Sequence, residues 1–358
     1  CKPKMDVYDR LGVTKVINGA ATLTRLGGSL MPPEVLEAMA EAAQHFVDID
    51  ELQTKVGRQI AEWTHNEAAF VSCGAAAGLA LSAAACIAGT DREKRARLPY
   101  SEGMANQVIV HKRNRVGYDF AMRQAGAKLV EIGVEGNATV AELERAITNK
   151  TAAILYFYNV NRMDGLVPLE QGIEIAARYN VPLIVDAAAQ IPPVENLWRF
   201  TQMGADLVLF SGGKGIRGPQ ASGLILGRKD LIEACAFHAC PNAYIGRPMK
   251  VGKEEIMGML AAAEMWYRRD HKAEWSLWNS WLGSVARSVG SVSGVSTEVL
   301  EPESLSNYSP RLAIRWDGNR LGISGEEVYQ LLFNGDPRII LGAGRGRFGD
   351  GMEKSSVE

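Results

Sequence analysis

The chain has 358 residues, 47% hydrophobic and 22% charged, with 39 basic against 41 acidic residues. That is apolar length enough for one large domain and a smaller one, and the near-neutral balance forecasts neither a nucleic-acid nor a membrane-surface partner. The five cysteines, Cys1, Cys73, Cys86, Cys235 and Cys240, form an odd, scattered set; this argues against a disulfide framework and for a reducing, cytoplasmic setting.

No charged n-region with an apolar h-region opens the chain, so no secretory signal is expected. Residues 1–30 read as an N-terminal arm, with VINGAATLTRLGGSLM punctuated by glycine and threonine. Pro32 and Pro33 suit the first turn of a helix, and Val35, Leu36, Met39 and Ala43 recur at helical spacing. Leu52, Val56 and Ile60 mark a second helix.

From residue 68 short apolar runs alternate with amphipathic helices. The uncharged stretch from Ala68 to Thr90 is long enough to span a bilayer. Its Ala, Gly and Ser content instead suits a buried strand, a glycine turn and a buried helix. Further strands are expected at Val108–Val110, Leu129–Ile132, Ala153–Phe157, Leu183–Val185 and Leu207–Phe210. Helices are expected near Tyr118–Gln124, after a capping box of Thr139 and Glu142, over Leu169–Tyr179 and around Trp198–Met203. Alternation of this kind predicts an α/β fold with a mostly parallel sheet covered on both faces. Residues 31–245 form the expected large domain. Residues 246–358 read as a smaller α+β C-terminal domain: a long helical pattern over 254–288, then short strands at Leu312–Ile314 and Ile339–Leu341.

Ligands of such sheets gather at the carboxyl ends of the strands, and four of those ends carry useful residues. The segment LVLFSGGKGIRGPQASGLIL places Lys214 among glycines after a buried strand. A lysine there suits Schiff-base chemistry, which needs an amine that loses its proton easily; a glycine-rich hairpin with a solvated lysine is the alternative. Asp186 ends an apolar run, where a carboxylate needs a cation or hydrogen bonds; a helix N-cap is its alternative role. The run Cys73–Gly78 at a strand-to-helix junction offers backbone amides to an anion such as phosphate, or merely close helix packing. Asn161 follows a fourth strand. His111, also at a strand end, is open between facing a ligand and a partly exposed loop. The lysine segment is not a nucleotide P-loop, because Val208 occupies the required first glycine. Cys235, His238 and Cys240 lack a fourth ligand and paired spacing, so no metal is expected.

The order of phosphate-type turn, Asn161, Asp186 and Ser211-x-x-Lys214 resembles fold-type I pyridoxal-phosphate (PLP) enzymes, the aspartate-aminotransferase-like superfamily. SGGKGIRGPQASG, VINGAATLTRLGG and YIGRPMKVGKEE are similar to segments of its selenocysteine synthase-like branch, which includes D-glucosaminate-6-phosphate ammonia-lyase-like enzymes. The resemblance spans roughly residues 15–340. It implies a seven-stranded-type sheet, PLP as cofactor and a homodimer or higher oligomer. It implies Lys214 as the Schiff-base lysine and Asp186 as partner of the pyridine nitrogen, which keeps the ring an electron sink. Gly74, Ala75, Ala76 and Ser211 would hold the phosphate. Asn161 would bond the ring oxygen, with Asn159 and Gln190 as substitutes. His111 or the KRNR run after it would cover the ring. Arg217 or Arg338 would take the substrate carboxylate, and Arg247 with Lys250 an anionic tail.

The departures set the reaction. Selenocysteine synthases carry an extra N-terminal tRNA region, whereas this chain starts at the arm, and the charge balance offers no tRNA surface. The arginine implied for selenium delivery falls at Gly28. The chain ends soon after GAGRGRFG, where relatives continue, so a shortened C-terminal domain is expected. The expected function is therefore α,β-elimination on a hydroxylated, phosphorylated amino acid or amino sugar acid, giving a 2-oxo acid. A racemase or epimerase, an aldolase or transferase, and a non-catalytic PLP-binding relative are the alternatives; selenium transfer is not expected.

Overall fold

The computed structural model describes residues 6–159, 163–301, 309–342 and the backbone of 356–357. The chain opens with α1 (Val7–Leu11) and β1 (Val16–Gly19), followed by α2 (Pro33–Ala42) and α3 (Ile49–Trp63). Then come β2 (Ala68–Ser72), α4 (Ala75–Ala88), α5 (Arg92–Arg97), β3 (Gln107–His111), α6 (Phe120–Gln124), β4 (Lys128–Ile132), α7 (Val140–Ala146), β5 (Thr151–Phe157), α8 (Leu169–Tyr179), β6 (Leu183–Asp186), α9 (Asn196–Gln202), β7 (Leu207–Ser211) and β8 (Gly223–Gly227). The remainder is α10 (Lys229–His238), α11 (Lys253–Arg268), α12 (His271–Gly290), β9 (Val295–Leu300), β10 (Arg311–Trp316), α13 (Gly318–Leu321), α14 (Gly325–Asn334), β11 (Arg338–Leu341) and β12 (Ser356–Val357).

Two compact units divide these elements. The larger, Gly27 to Arg269 among the described residues, is the expected α/β domain. Its seven-stranded sheet runs in the order β2-β8-β7-β6-β5-β3-β4. β8 is antiparallel to both its neighbours, and the other described pairings are parallel. Strand alternation sends Ile109, Tyr156, Val185 and Phe210 into one apolar layer and Val110, Phe157, Ile184 and Leu209 into the other. α3 belongs to the first layer. Asp48 caps it by accepting from Glu51 N at 2.9 Å, and it buries Val56 and Ile60, each contributing about 1.5–3 kcal/mol. Gly57 lets α3 close on β2, since a Cβ there would meet Ala69 O at 2.3 Å. Gln53 bonds Val71 O and N at 2.8 and 3.3 Å, which satisfies backbone on this sheet-edge strand.

α4 lies in the second layer and is buried nearly all round, from Ala77 to Ala88. Its hydrophobicity is that of a core helix; no described helix is long and apolar enough to cross a membrane. The capping box before α7 is half formed. Thr139 Oγ1 accepts from Glu142 N at 3.2 Å, while the Glu142 carboxylate turns to Gly133 N at 2.8 Å.

Two boundaries differ from expectation. The larger unit continues past residue 245, because α11 buries Ile256, Met259, Ala262, Ala263 and Trp266 in its core. The helical pattern over 254–288 is two helices, since Asp270 starts a new one by accepting from Ala273 N at 2.9 Å. The smaller unit holds the chain up to Leu26 and most of the chain from Asp270 onward. Residues 16–19 are not a free arm: β1 pairs in parallel with β11 of the same unit. β12, β10 and β9 form that unit's second sheet.

Candidate active site

The parallel strands deliver their carboxyl ends to one edge of the large sheet. Ser72 and Ser211 there flank Gly223, which starts β8, in register. A Cβ on Gly223 would lie 2.7 Å from Gly74 C and 2.8 Å from Ala75 N, so only glycine lets the turn ahead of α4 come this close. Gly74 takes φ +86°, and no side chain caps the helix after it. Ser72 Oγ instead donates to Gly74 O at 2.9 Å. The first amides of a 14-residue buried helix therefore face the sheet edge beside Ser211, an arrangement suited to an anion.

Asp186 ends β6 one strand further along. It is 8% exposed, and its Oδ1 accepts from Ala188 N at 3.0 Å. Burial pushes the carboxyl up to about 6, against smaller opposing effects of the Ala188 amide and the Lys214 charge. Burial lowers the Lys214 amine below its ordinary value, with the Asp186 charge opposing. By strand alternation Asp186, Ser211 and the turn into α4 share the second-layer face of the sheet.

The loop carrying Lys214 is tight because of its glycines. A Cβ on Gly212 would meet Ser222 Oγ at 2.1 Å, and one on Gly215 would meet Ile191 O at 2.1 Å. Gly218 N donates to Gly212 O at 2.8 Å and Arg217 N to Lys214 O at 3.0 Å. Arg217 is half-buried in a left-handed conformation, φ +62°. The segment after β6 packs against Gly215 and brings Gln190, 5% exposed, whose Oε1 has no hydrogen-bond partner among the described residues.

The residues present fit PLP. The uncapped α4 amides suit its phosphate, the buried Asp186 carboxylate suits a protonated ring nitrogen, and Gln190 Oε1 is a buried acceptor in want of a donor. Lys214, Asp186, Ser211, Gly74, Ala75, Ala76 and Gln190 are thus brought to one sheet edge.

The other expected residues lie in different settings. Asn161 lies outside the described residues. His111 corrects the expectation of a ring cover. It shares the alternation of Ile109 and points into the opposite layer, 2% exposed, with its ring 4.7 Å from Tyr156. Its Nε2 accepts from Val167 N at 3.2 Å, and burial lowers its pKa to about 4. It is neither ring cover nor loop residue but a neutral core histidine. Arg247 is exposed, with Nη1 3.6 Å from Cys240 Sγ, and Lys250 is exposed as well. Arg338 belongs to the smaller unit, its guanidinium 4.8 Å from the centre of the Phe333 ring. His238 turns Nε2 to Gly89 O at 2.9 Å. One contact carried no sequence signal: Ser29, 184 positions upstream, bonds to Gly213 O.

Residues 15–277 match the family model described as SelA, L-seryl-tRNA selenium transferase. A D-glucosaminate-6-phosphate ammonia lyase of Salmonella typhimurium is 34% identical over 339 residues, 93% of this chain and 88% of its own length. A 5'-C-glycyluridine monooxygenase-decarboxylase of a Streptomyces species is 38% identical over 264 residues, 71% of this chain and 64% of its own. An L-seryl-tRNA(Sec) selenium transferase of Nitratidesulfovibrio vulgaris is 30% identical over 242 residues, and the chain spans 50% of its length. A solved D-glucosaminate-6-phosphate ammonia-lyase superposes with TM-score 0.84 at 34% identity, covering 97% of this chain and 90% of that one. A serine palmitoyltransferase solved with its PLP internal aldimine, 14% identical with TM-score 0.59, shares the fold.

Proposed function

The chain belongs to the SelA (L-seryl-tRNA selenium transferase) family, and on that premise we propose that it eliminates across Cα and Cβ of a phosphorylated, hydroxylated amino sugar acid. It is a PLP-dependent lyase of fold type I. The observation that carries the reading is the buried Asp186 carboxyl and the half-buried Lys214 amine, set beside the uncapped amides of α4 at one sheet edge. Likeness to an ammonia lyase across nearly the whole chain supports it.

Bound PLP supplies an electron sink for the pair left behind when a bond at the substrate Cα breaks. The α4 amides and Ser211 would hold its phosphate, Asp186 would keep a proton on its ring nitrogen, and Lys214 Nζ would be its covalent anchor. Gln190 Oε1 takes a ring or substrate donor. Lys214 Nζ, whose affinity for protons is lowered by burial, would be the base that takes the substrate Cα proton. The β-hydroxyl would leave as water, with Lys214 Nζ giving it the proton taken from Cα. The released enamine tautomerises and hydrolyses to a 2-oxo acid and ammonia, consuming one water. We assign Arg217 to the substrate carboxylate and Arg247 with Lys250 to the distal phosphate. Gly28 supports a reaction other than selenium transfer. A side chain there would start 2.0 Å from Gln220 Oε1 and 2.4 Å from Gly213 O at φ +76°, so the implied arginine has no place.

Incubation with D-glucosaminate 6-phosphate tests the reading: equimolar 2-oxo acid and ammonia support it, and neither product sinks it. The identity to the monooxygenase-decarboxylase favours one second reading, oxidative decarboxylation of a glycyl nucleoside. Oxygen uptake with carbon dioxide release would identify that reaction. Exposed Leu30, Leu36 and Phe46 support assembly as a homodimer or larger oligomer, and the free thiols Cys73, Cys86, Cys235 and Cys240 a cytoplasmic setting. Light scattering on the purified protein tests the assembly; a monomer at working concentration contradicts it.

A further inference from the structure

We propose that Ser29 is a positioning residue for Lys214, fixing the peptide unit from which the lysine side chain springs; the inference rests on the reading of Lys214 above. Ser29 N and Oγ both donate to Gly213 O, at 2.9 and 3.1 Å. That carbonyl belongs to the peptide linking Gly213 to Lys214, so the two bonds set the plane that leads into Lys214 Cα. On the other side, Lys214 O accepts from Arg217 N at 3.0 Å. Both peptide units flanking the lysine are therefore held, one by the loop itself and one by a residue 184 positions away.

The hold matters because Gly212, Gly213 and Gly215 give the segment wide conformational freedom. The amine has to reach the cofactor and the substrate Cα in turn, and small misplacements of a reacting group cost large factors in rate. The strap formed by Gly27, Gly28 and Ser29 is shaped for contact with the loop. Gly28 is buried at φ +76°, in a space where any side chain would strike Gly213 O or Gln220, and Gly213 itself has no room for a Cβ beside Gln220. The chain enters the larger unit at Gly27, so the strap is the first stretch of that unit.

Ser29→Ala removes the hydroxyl donor and keeps the amide, and Ser29→Thr keeps both. In apo protein, amides of residues 212–218 are expected to exchange with deuterium about tenfold faster in Ser29→Ala, the factor for losing one ordinary hydrogen bond. In the holoenzyme the pH at which the lysine-bound cofactor band titrates moves. In the same variant kcat falls about tenfold while KM stays within about twofold, and Ser29→Thr restores all three. The proposal is overturned if Ser29→Ala matches wild type in exchange and pH titration. It is equally overturned if kcat falls only in proportion to lost folded protein or lost cofactor. Wild-type protein that takes up no PLP would overturn the reading of Lys214 itself, a distinct failure.

Discussion

Asp186, buried at the end of β6, and Lys214, half-buried in the loop after β7, are electrostatically linked: burial opposes the charge on each while the other's charge supports it. Neither group stabilises the fold by being there. A carboxyl raised to about 6 and an amine lowered from its ordinary value are the perturbed groups expected of a functional site.

The stability cost of Asp186 has a definite pH window. A carboxyl whose value rises from 3.8 to about 6 on folding prefers its proton in the folded state. The cost is absent below 3.8, grows with pH, and is complete above about 6, at ~3 kcal/mol. Asp186→Asn should therefore raise the melting temperature of apo protein at neutral pH, with the gain vanishing toward pH 4 or so. The same variant should bind PLP more weakly. Thermal melts across pH without cofactor check this; a destabilised apo variant at neutral pH contradicts it.

His111 should be separable from the chemistry. His111→Phe leaves the Val167 amide without its acceptor and should cost about 1–3 kcal/mol of stability. Because the ring faces the opposite layer, the cofactor absorption and the substrate KM should stay as in wild type. A shifted cofactor spectrum in the folded variant would return His111 to the site.

Arg217 holds a backbone conformation that glycine adopts freely and arginine at a cost of about 1–2 kcal/mol. Arg217→Gly relieves that strain, and kcat/KM should fall about 10- to 100-fold, the effect of losing a charged hydrogen bond to substrate. Loss of stability with kcat/KM intact would make the arginine structural.

Gly28→Ala tests the closed space over the lysine loop. The added carbon meets backbone at Gly213 O, which cannot yield as a side chain end can. The variant should lose stability, by roughly 1–3 kcal/mol, and show weakened PLP uptake. Unchanged melting and uptake would mean that the strap moves freely.

Much of this was legible in the chain itself. Alternating apolar runs marked the strands from β2 to β7, and the roles of Asp186 and Lys214, left open by their place at strand ends, came from the order of motifs that resembles a known family. His111 misled because position at a strand end does not say which face a side chain takes; that needed the alternation of Ile109 and Val110 between the two layers. The end of the larger domain misled because composition changes near residue 246, whereas the core closes only with Trp266 of α11. Ser29 could not be read at all. Its partner lies 184 residues away, and a serine beside two glycines carries no pattern.

The central claim is that Lys214 Nζ carries PLP. Incubation of the protein with PLP, borohydride reduction, proteolysis and mass spectrometry would locate the cofactor directly. The account predicts one label per chain, on Lys214, accompanied by a visible absorption band that Lys214→Ala lacks. A label spread over other lysines, or a Lys214→Ala protein that keeps the band, would contradict it.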